Sequence, residues 1–276
     1  MKTREAAVEG RFYPSTREKI FRQIREIERA GRYPPVELSP ARIFGAVIPH
    51  AGHVYSGYQT IPFFQLLKRH SLFPETFIIL HPNHTGLGKS LAVDGSEVWK
   101  NSAGEVPVDR EMATALDLPF DNLAHSREHS AEVIVPFLQY YFEDHPMRIL
   151  PVCMMDQSHR NALLLADRIG DAIRRTGRRT MVLASSDFSH FLSPEEGRAK
   201  DQLVLERVLA RDPAGVERVV RKEGISVCGY GPIMALMEYA GSIDAQYSLS
   251  VLARGHSGEV FPSREVVDYL SIMVYN

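Results

Sequence analysis

Short apolar runs alternating with amphipathic stretches set the rhythm of this chain. Residues 43–48, 76–80, 149–154 and 180–184 are β-branched or aliphatic runs, and three of them are closed by Pro, Asn or Ser within three residues, which predicts strands buried on both faces. Between them the period lengthens. Helices are expected over 15–30, with Ser15 or Thr16 as cap and Gly31 as stop, and over 56–69, 109–116, 126–142 and 158–176, the last with Leu165, Ile169 and Ile173 on one face. Residues 91–108 are rich in turn formers and lack helical period, so short strands or a hairpin are expected there. Ser193-Pro194-Glu195-Glu196 combines an N-cap serine, a first-turn proline and a capping-box glutamate. A further helix is expected over 231–239, stopped by Gly241, and 246–253 and 266–275 read as an antiparallel strand pair. The strand and helix alternation predicts an α/β fold: one three-layer domain over residues 1–276, a mixed central sheet with helices on both faces.

Charge narrows the choice of partner. With 32 basic and 34 acidic residues, the chain has no field to draw nucleic acid or an anionic membrane. No apolar stretch reaches the length of a membrane span, and Met1-Lys2-Thr3-Arg4-Glu5 opens no signal-peptide core, so a cytoplasmic protein is expected. Cys153 and Cys228 are the only cysteines, too few for a disulfide framework, and reduced thiols are expected.

The chemistry gathers just past the apolar runs. Pro49-His50-Ala51-Gly52-His53, His81-Pro82-Asn83-His84 and Ser186-Asp187-Phe188-Ser189-His190 each follow a predicted strand, and Val227-Cys228-Gly229 precedes a predicted helix. Loops leaving the strand ends of an α/β sheet meet along one edge, so these segments can share a pocket rich in imidazole and thiol, the donors of a transition-metal site. One histidine of each His-x-x-His pair is the expected ligand, and spacing does not say which. His70, His145 and His159 are read as structural or surface residues. Asp187, Ser189 and His190 bring carboxylate, hydroxyl and imidazole to one rim; proton exchange and a simple backbone-binding turn are both open readings. His125, Glu128, His129 and Glu132 fall at helical spacing, as an orienting shell around ligands or a solvated stripe. Cys228, near a helix start, suits a nucleophile or a ligand whose thiolate the dipole favours, while Cys153 sits inside an apolar run and reads as core. Gly88-Lys89-Ser90 is not a phosphate loop, because the required first glycine is Asn83, and no G-x-S-x-G elbow is present.

Pro49-His50-Ala51-Gly52, Pro82-Asn83-His84, His125-Ser126-Arg127-Glu128-His129-Ser130, Ser185 to His190 and Cys228-Gly229, in this order, resemble the Memo family, whose prokaryotic branch is called AmmeMemoRadiSam system protein B. The resemblance runs from Arg11-Phe12-Tyr13-Pro14 to Tyr269-Leu270-Ser271. It implies a fold similar to the class III extradiol dioxygenases, which hold Fe(II) with two histidines and a glutamate. Carried over by motif, the histidine ligands fall on His50 and His84, the acid/base histidine on His190, and the glutamate position on Cys228. His81 stands where the pattern has glycine, which leaves it open as an alternative ligand. The resemblance implies metal binding, with Fe(II) first and Cu or Zn as alternatives, and a possible dioxygenase-like oxidoreductase site in which Asp187 and His190 are the catalytic or proton-handling groups. Thiolate is softer than carboxylate, so ring-cleaving chemistry is not simply reproduced. A small molecule or peptide is the expected ligand, and a radical SAM protein of the same system the implied partner. The rival readings are a phosphopeptide-binding adaptor without turnover, a Zn-dependent hydrolase and a metal-free Cys228-His hydrolase.

Overall fold

The computed structural model describes residues 2–276. In chain order the elements are β1 (Thr3–Glu5), α1 (Arg17–Ala30), β2 (Ile43–Ile48), α2 (His53–Arg69), β3 (Thr76–Pro82), β4 (Leu91–Val93), β5 (Val98–Asn101), β6 (Gly104–Pro107), α3 (Arg110–Ala115) and α4 (Leu123–Ser126). They continue with α5 (Val135–Tyr141), β7 (Arg148–Met154), α6 (His159–Thr176), β8 (Thr180–Ser185), β9 (His190–Leu192), α7 (Pro194–Leu209), α8 (Pro213–Glu223), α9 (Tyr230–Ile243), β10 (Ser248–His256) and β11 (Val266–Tyr275). Local chemistry fixes several boundaries. Thr16 caps α1 by accepting from the Lys19 amide, Gly31 ends it in the left-handed region, and Ser193 and Glu196 form the capping box that opens α7.

The main sheet runs β10-β11-β2-β8-β3-β7-β4, with β9 paired to β11. Strands β2, β8, β3 and β7 are parallel, whereas β11, β10 and β4 run antiparallel to their neighbours. Successive side chains point to opposite faces, so each parallel strand feeds two cores. Phe77, Ile79 and Leu183 pack with α1, α2 and α5 on one side. Ile78, Leu80 and Ala184 pack with α3, α6, α8 and α9 on the other. The architecture is therefore α/β with a mixed sheet covered on both faces. Among the described residues, no helix is long and apolar enough to cross a membrane.

Residues 126–142, expected as one helix, are not one. The chain leaves α4, passes through a non-helical turn and a short 3-10 turn at Glu132–Ile134, and only then enters α5. The cause is the buried Glu128 carboxylate, 1% exposed, whose Oε1 takes up the backbone amides of His129 and Ser130. Inside a helix those amides would be committed to carbonyls four residues back. Smaller departures are that α2 begins at His53 instead of 56, α9 runs through Gly241 to Ile243, and β1, β9 and α8 were not anticipated.

Strand β1 carries a buried cation. Arg4 donates through Nε and Nη2 to the His125 carbonyl at 3.2 and 3.1 Å and through Nη2 to the Glu128 carbonyl at 2.6 Å, pairs through Nη1 with Glu132, and covers the Trp99 ring at 4.2 Å. Glu132 also accepts from the Ala7 and Val8 amides at 2.8 and 3.0 Å and from the Tyr13 hydroxyl at 2.7 Å. Removing one partner strands the other charge in a dry interior, which costs about 3–5 kcal/mol. Glu132→Ala is expected to lower unfolding stability by about that amount; a loss below about 1 kcal/mol by urea titration would show that the pair does not hold the arm.

Candidate metal centre

The strand order dictates where the site forms. Because β8 lies between β2 and β3 in parallel, the chain segments leaving all three emerge at one edge. His50 follows β2, His84 follows β3 and Asp187 follows β8. Cys228 arrives on the turn before α9. Gly229 permits its approach, since a Cβ there would lie 2.2 Å from the Ser185 carbonyl oxygen. One ligand atom from each of His50, His84 and Cys228 lies within 4.8 Å of the others.

Each donor is held by bonds from below. His50 Nε2 is 3.3 Å from Cys228 Sγ, its Nδ1 is 2.7 Å from Ser185 Oγ, and its amide donates to Asp187 Oδ1 at 2.8 Å. His84 Nδ1 is 2.9 Å from Glu128 Oε1. The Asp187 amide donates to the Cys228 sulfur at 3.2 Å, and Gln157 ties the loop by donating to the Cys228 carbonyl at 2.7 Å.

Burial sets the protonation states. It drives the His50 pKa well below the usual imidazole value, with the neighbouring His129 and His84 adding to the effect. Burial, with the Asp187 charge beside it, pushes the Cys228 thiol well up, so the expected benefit of the helix dipole is overridden. For Glu128 burial acts upward but is outweighed by the His84 hydrogen bond and the nearby imidazoles, leaving the carboxyl well below its ordinary range. Burial lifts Asp187 to about 6 against the lowering effect of the His50 amide bond.

The structure separates the two histidine pairs. His53 opens α2, is fully buried and bonds through Nε2 to the Val133 carbonyl at 2.9 Å. His81 is also buried, with Nδ1 2.9 Å from the Pro82 carbonyl oxygen and Nε2 3.1 Å from His125 Nδ1. Neither reaches the His50, His84 and Cys228 group. His190 lies to one side, its Nδ1 2.9 Å from the Ser226 carbonyl oxygen. A carbonyl only accepts, so Nδ1 carries the proton and Nε2 is free to take another. His190, Asp187 and His129 line a cavity of about 470 Å³ with Phe12, Tyr55, Phe261 and Tyr269.

His129 belongs to this setting although its spacing had left its role open. Its ring stands 5.4 Å from that of His50 and 4.7 Å from that of His84, centre to centre. His125 instead joins His81 in the buried polar layer, and Glu132 anchors the N-terminal arm. Arg4, Gln157 and the hydroxyl of Ser185 went unrecognised as supports; a lone arginine in a charged N-terminal run gives no signal of burial. Cys153 is core, as its apolar run implies.

The model of the family described as Memo-like protein matches residues 4–273. The chain belongs to this family. Curated relatives called MEMO1 family proteins include one from Archaeoglobus fulgidus, 38% identical and aligned over 98% of each chain, and one from Pyrobaculum aerophilum, 35% identical over the full length of both. A solved structure, that of an uncharacterized Escherichia coli K12 protein, shares the fold with a TM-score of 0.59 at 14% identity, covering 84% of this chain and 99% of that one.

The loop from Asp187 to His190 is clamped from outside. Asp201 accepts from the Ser189 amide and hydroxyl at 3.0 and 2.6 Å, and the backbones of Phe188, Ser189 and Asp268 are bonded to one another. The Asp201 and Asp268 carboxyls act on one another, each with an Oδ2 that has no other hydrogen-bond partner, and Gly197 admits the second of them, since a Cβ there would lie 2.2 Å from Asp268 Oδ2. Two buried carboxyls can share one proton, and Asp201, already accepting two donors, is the ionised member. Burial, reinforced by the Asp201 charge, raises Asp268 to about 8. A raised folded-state pKa stabilises fully below the unfolded value of about 3.9, and that stabilisation is lost as pH rises towards about 8. Asp268→Asn is expected to remove this slope, gaining about 1–3 kcal/mol over the parent in alkaline solution and little in acid. Parallel pH profiles of the urea midpoint for the two proteins would refute the shared proton.

Proposed function

We propose that this Memo-family protein binds a redox-active transition metal, iron(II) first and copper second, through His50, His84 and Cys228. The observation that carries the reading is the convergence of two imidazoles and one thiol within 4.8 Å from three separate stretches of chain. The donor set fits such an ion. Two nitrogens and a sulfur suit iron, copper or zinc and disfavour magnesium, calcium or manganese, which prefer oxygen. When bound, the ion supplies Lewis acidity and, if iron or copper, electron transfer.

The remaining groups handle ligand and proton. The cavity of about 470 Å³ is large enough for a small molecule. His190 Nε2 is the acceptor on its wall, and Asp187, lifted to about 6 and bonded to the His50 amide, sits between cavity and thiol. Phe12, Tyr55, Phe261 and Tyr269 give this cavity an aromatic lining. None of the residues lining this cavity is lysine or arginine, which weighs against a phosphopeptide ligand.

Elemental analysis of protein purified without oxygen tests the reading. Stoichiometric iron or copper is expected, falling at least about tenfold in Cys228→Ser and in His84→Ala, since loss of even a group behind a ligand costs about that much. Stoichiometric zinc together with hydrolytic activity would replace this reading with that of a zinc hydrolase. A metal-free protein with an alkylation-sensitive activity would overturn metal binding altogether.

A further inference from the structure

The hydrogen bonds beneath the two imidazoles determine which ring nitrogen each can offer. Ser185 Oγ lies 2.6 Å from the Ser130 carbonyl oxygen and 2.7 Å from His50 Nδ1. A hydroxyl has one proton, and the carbonyl can only accept, so that proton goes to Ser130. Ser185 must then accept from His50, which places the imidazole proton on Nδ1. His50 Nε2 is left with its lone pair, facing Cys228 Sγ at 3.3 Å.

The same logic fixes His84 through a different group. Glu128 is 1% exposed and takes backbone N–H groups at both oxygens, which makes each of them an acceptor. Oε2 receives the His84 amide at 2.5 Å, while Oε1 receives the His129 and Ser130 amides at 2.9 and 3.0 Å and His84 Nδ1 at 2.9 Å. His84 therefore also carries its proton on Nδ1. His129 Nδ1 stands 3.3 Å from the same Oε1. Glu128, His84 and His129 form a second group of close donor atoms, in which Oε1 of the carboxylate already takes three N–H donors and Oε2 takes the His84 amide.

We propose that Glu128 and Ser185 are positioning residues that lock His84 and His50 in the Nδ1–H tautomer, so that Nε2 of each is preset as a metal donor. This rests on the metal-binding reading above, but its central element is observable without metal. Free neutral imidazole favours the opposite tautomer, so the site selects the minority form twice. Fixing the ring nitrogen and its orientation in advance removes a reorganisation that ion binding would otherwise require.

Long-range proton–nitrogen NMR of the metal-free, histidine-labelled protein at neutral pH reads the tautomers directly. His50 and His84 are expected to show protonated Nδ1 and unprotonated Nε2. Ser185→Ala is expected to return His50 towards Nε2–H and leave His84 unchanged; Glu128→Gln is expected to do the reverse. Each variant is expected to weaken Co(II) binding by about 10–100-fold, with circular dichroism unchanged. Should Glu128→Gln disturb its loop, Ser185→Ala, which removes one oxygen atom, still decides the His50 half. Nε2–H imidazoles in the parent protein, or variants with unaltered tautomers and Co(II) affinity, would overturn the proposal. If the parent shows the stated tautomers yet takes up no Co(II), the metal reading fails and the preset imidazoles stand.

Discussion

The site depends on one constraint of strand order: β8 lies between β2 and β3, and all three run the same way. Parallel neighbours end at the same edge, so the residues after Ile48, Pro82 and Ser185 are brought together by backbone pairing alone, however far apart in sequence. The ladder Gly45 to Ile48 against Val182 to Ser185 places the Ser185 hydroxyl next to the turn that carries His50. A shift of one residue would turn Ser185 to the opposite face and remove the acceptor that His50 Nδ1 uses. Donor choice at the candidate metal centre would thus be a consequence of sheet register.

The second requirement is a loop kept out of helix. Residues from α4 to the start of α5 satisfy their polar groups by inward bonds: the Arg4 guanidinium takes the carbonyls of His125 and Glu128, and the Glu128 carboxylate takes the amides of His129 and Ser130. Both ions are buried, and each is compensated by several hydrogen bonds, the condition under which buried charge is tolerated. The arrangement fixes Glu128 under His84 and brings the His129 ring to the cavity wall.

These two features differ in how plainly the sequence announces them. β2, β3 and β8 are legible because β-branched runs ended by turn residues need no partner to be identified, and the same runs locate the loops holding His50, His84 and Asp187. Choosing His50 over His53 and His84 over His81 required the family resemblance, because an H-x-x-H spacing in a turn says nothing of which ring faces the sheet edge. The helix expected over 126–142 failed for an instructive reason. His125 and His129, like Glu128 and Glu132, recur at helical spacing, but periodicity records where side chains would point on a helix and not whether a buried carboxylate has already claimed the amides. Arg4 was invisible for a related reason: its hydrogen-bond and ion-pair partners all lie more than 120 residues away.

Burial gives the site its chemical character. His50 and His129 are driven towards the neutral form and Cys228 towards the thiol, so the donor cluster itself carries little charge. Its fixed negative charge sits one bond further out, on Glu128, with Asp187 titrating between. A dication entering here meets lone pairs at contact distance and carboxylate behind them, while the nearby cation Arg4 is already neutralised by Glu132. The amide of Asp187 directed at the sulfur stabilises negative charge there once the thiol proton is displaced. Neutral donors inside an anionic surround can remain buried without a bound ion, which is how one pocket would reconcile stability with the proposed metal affinity.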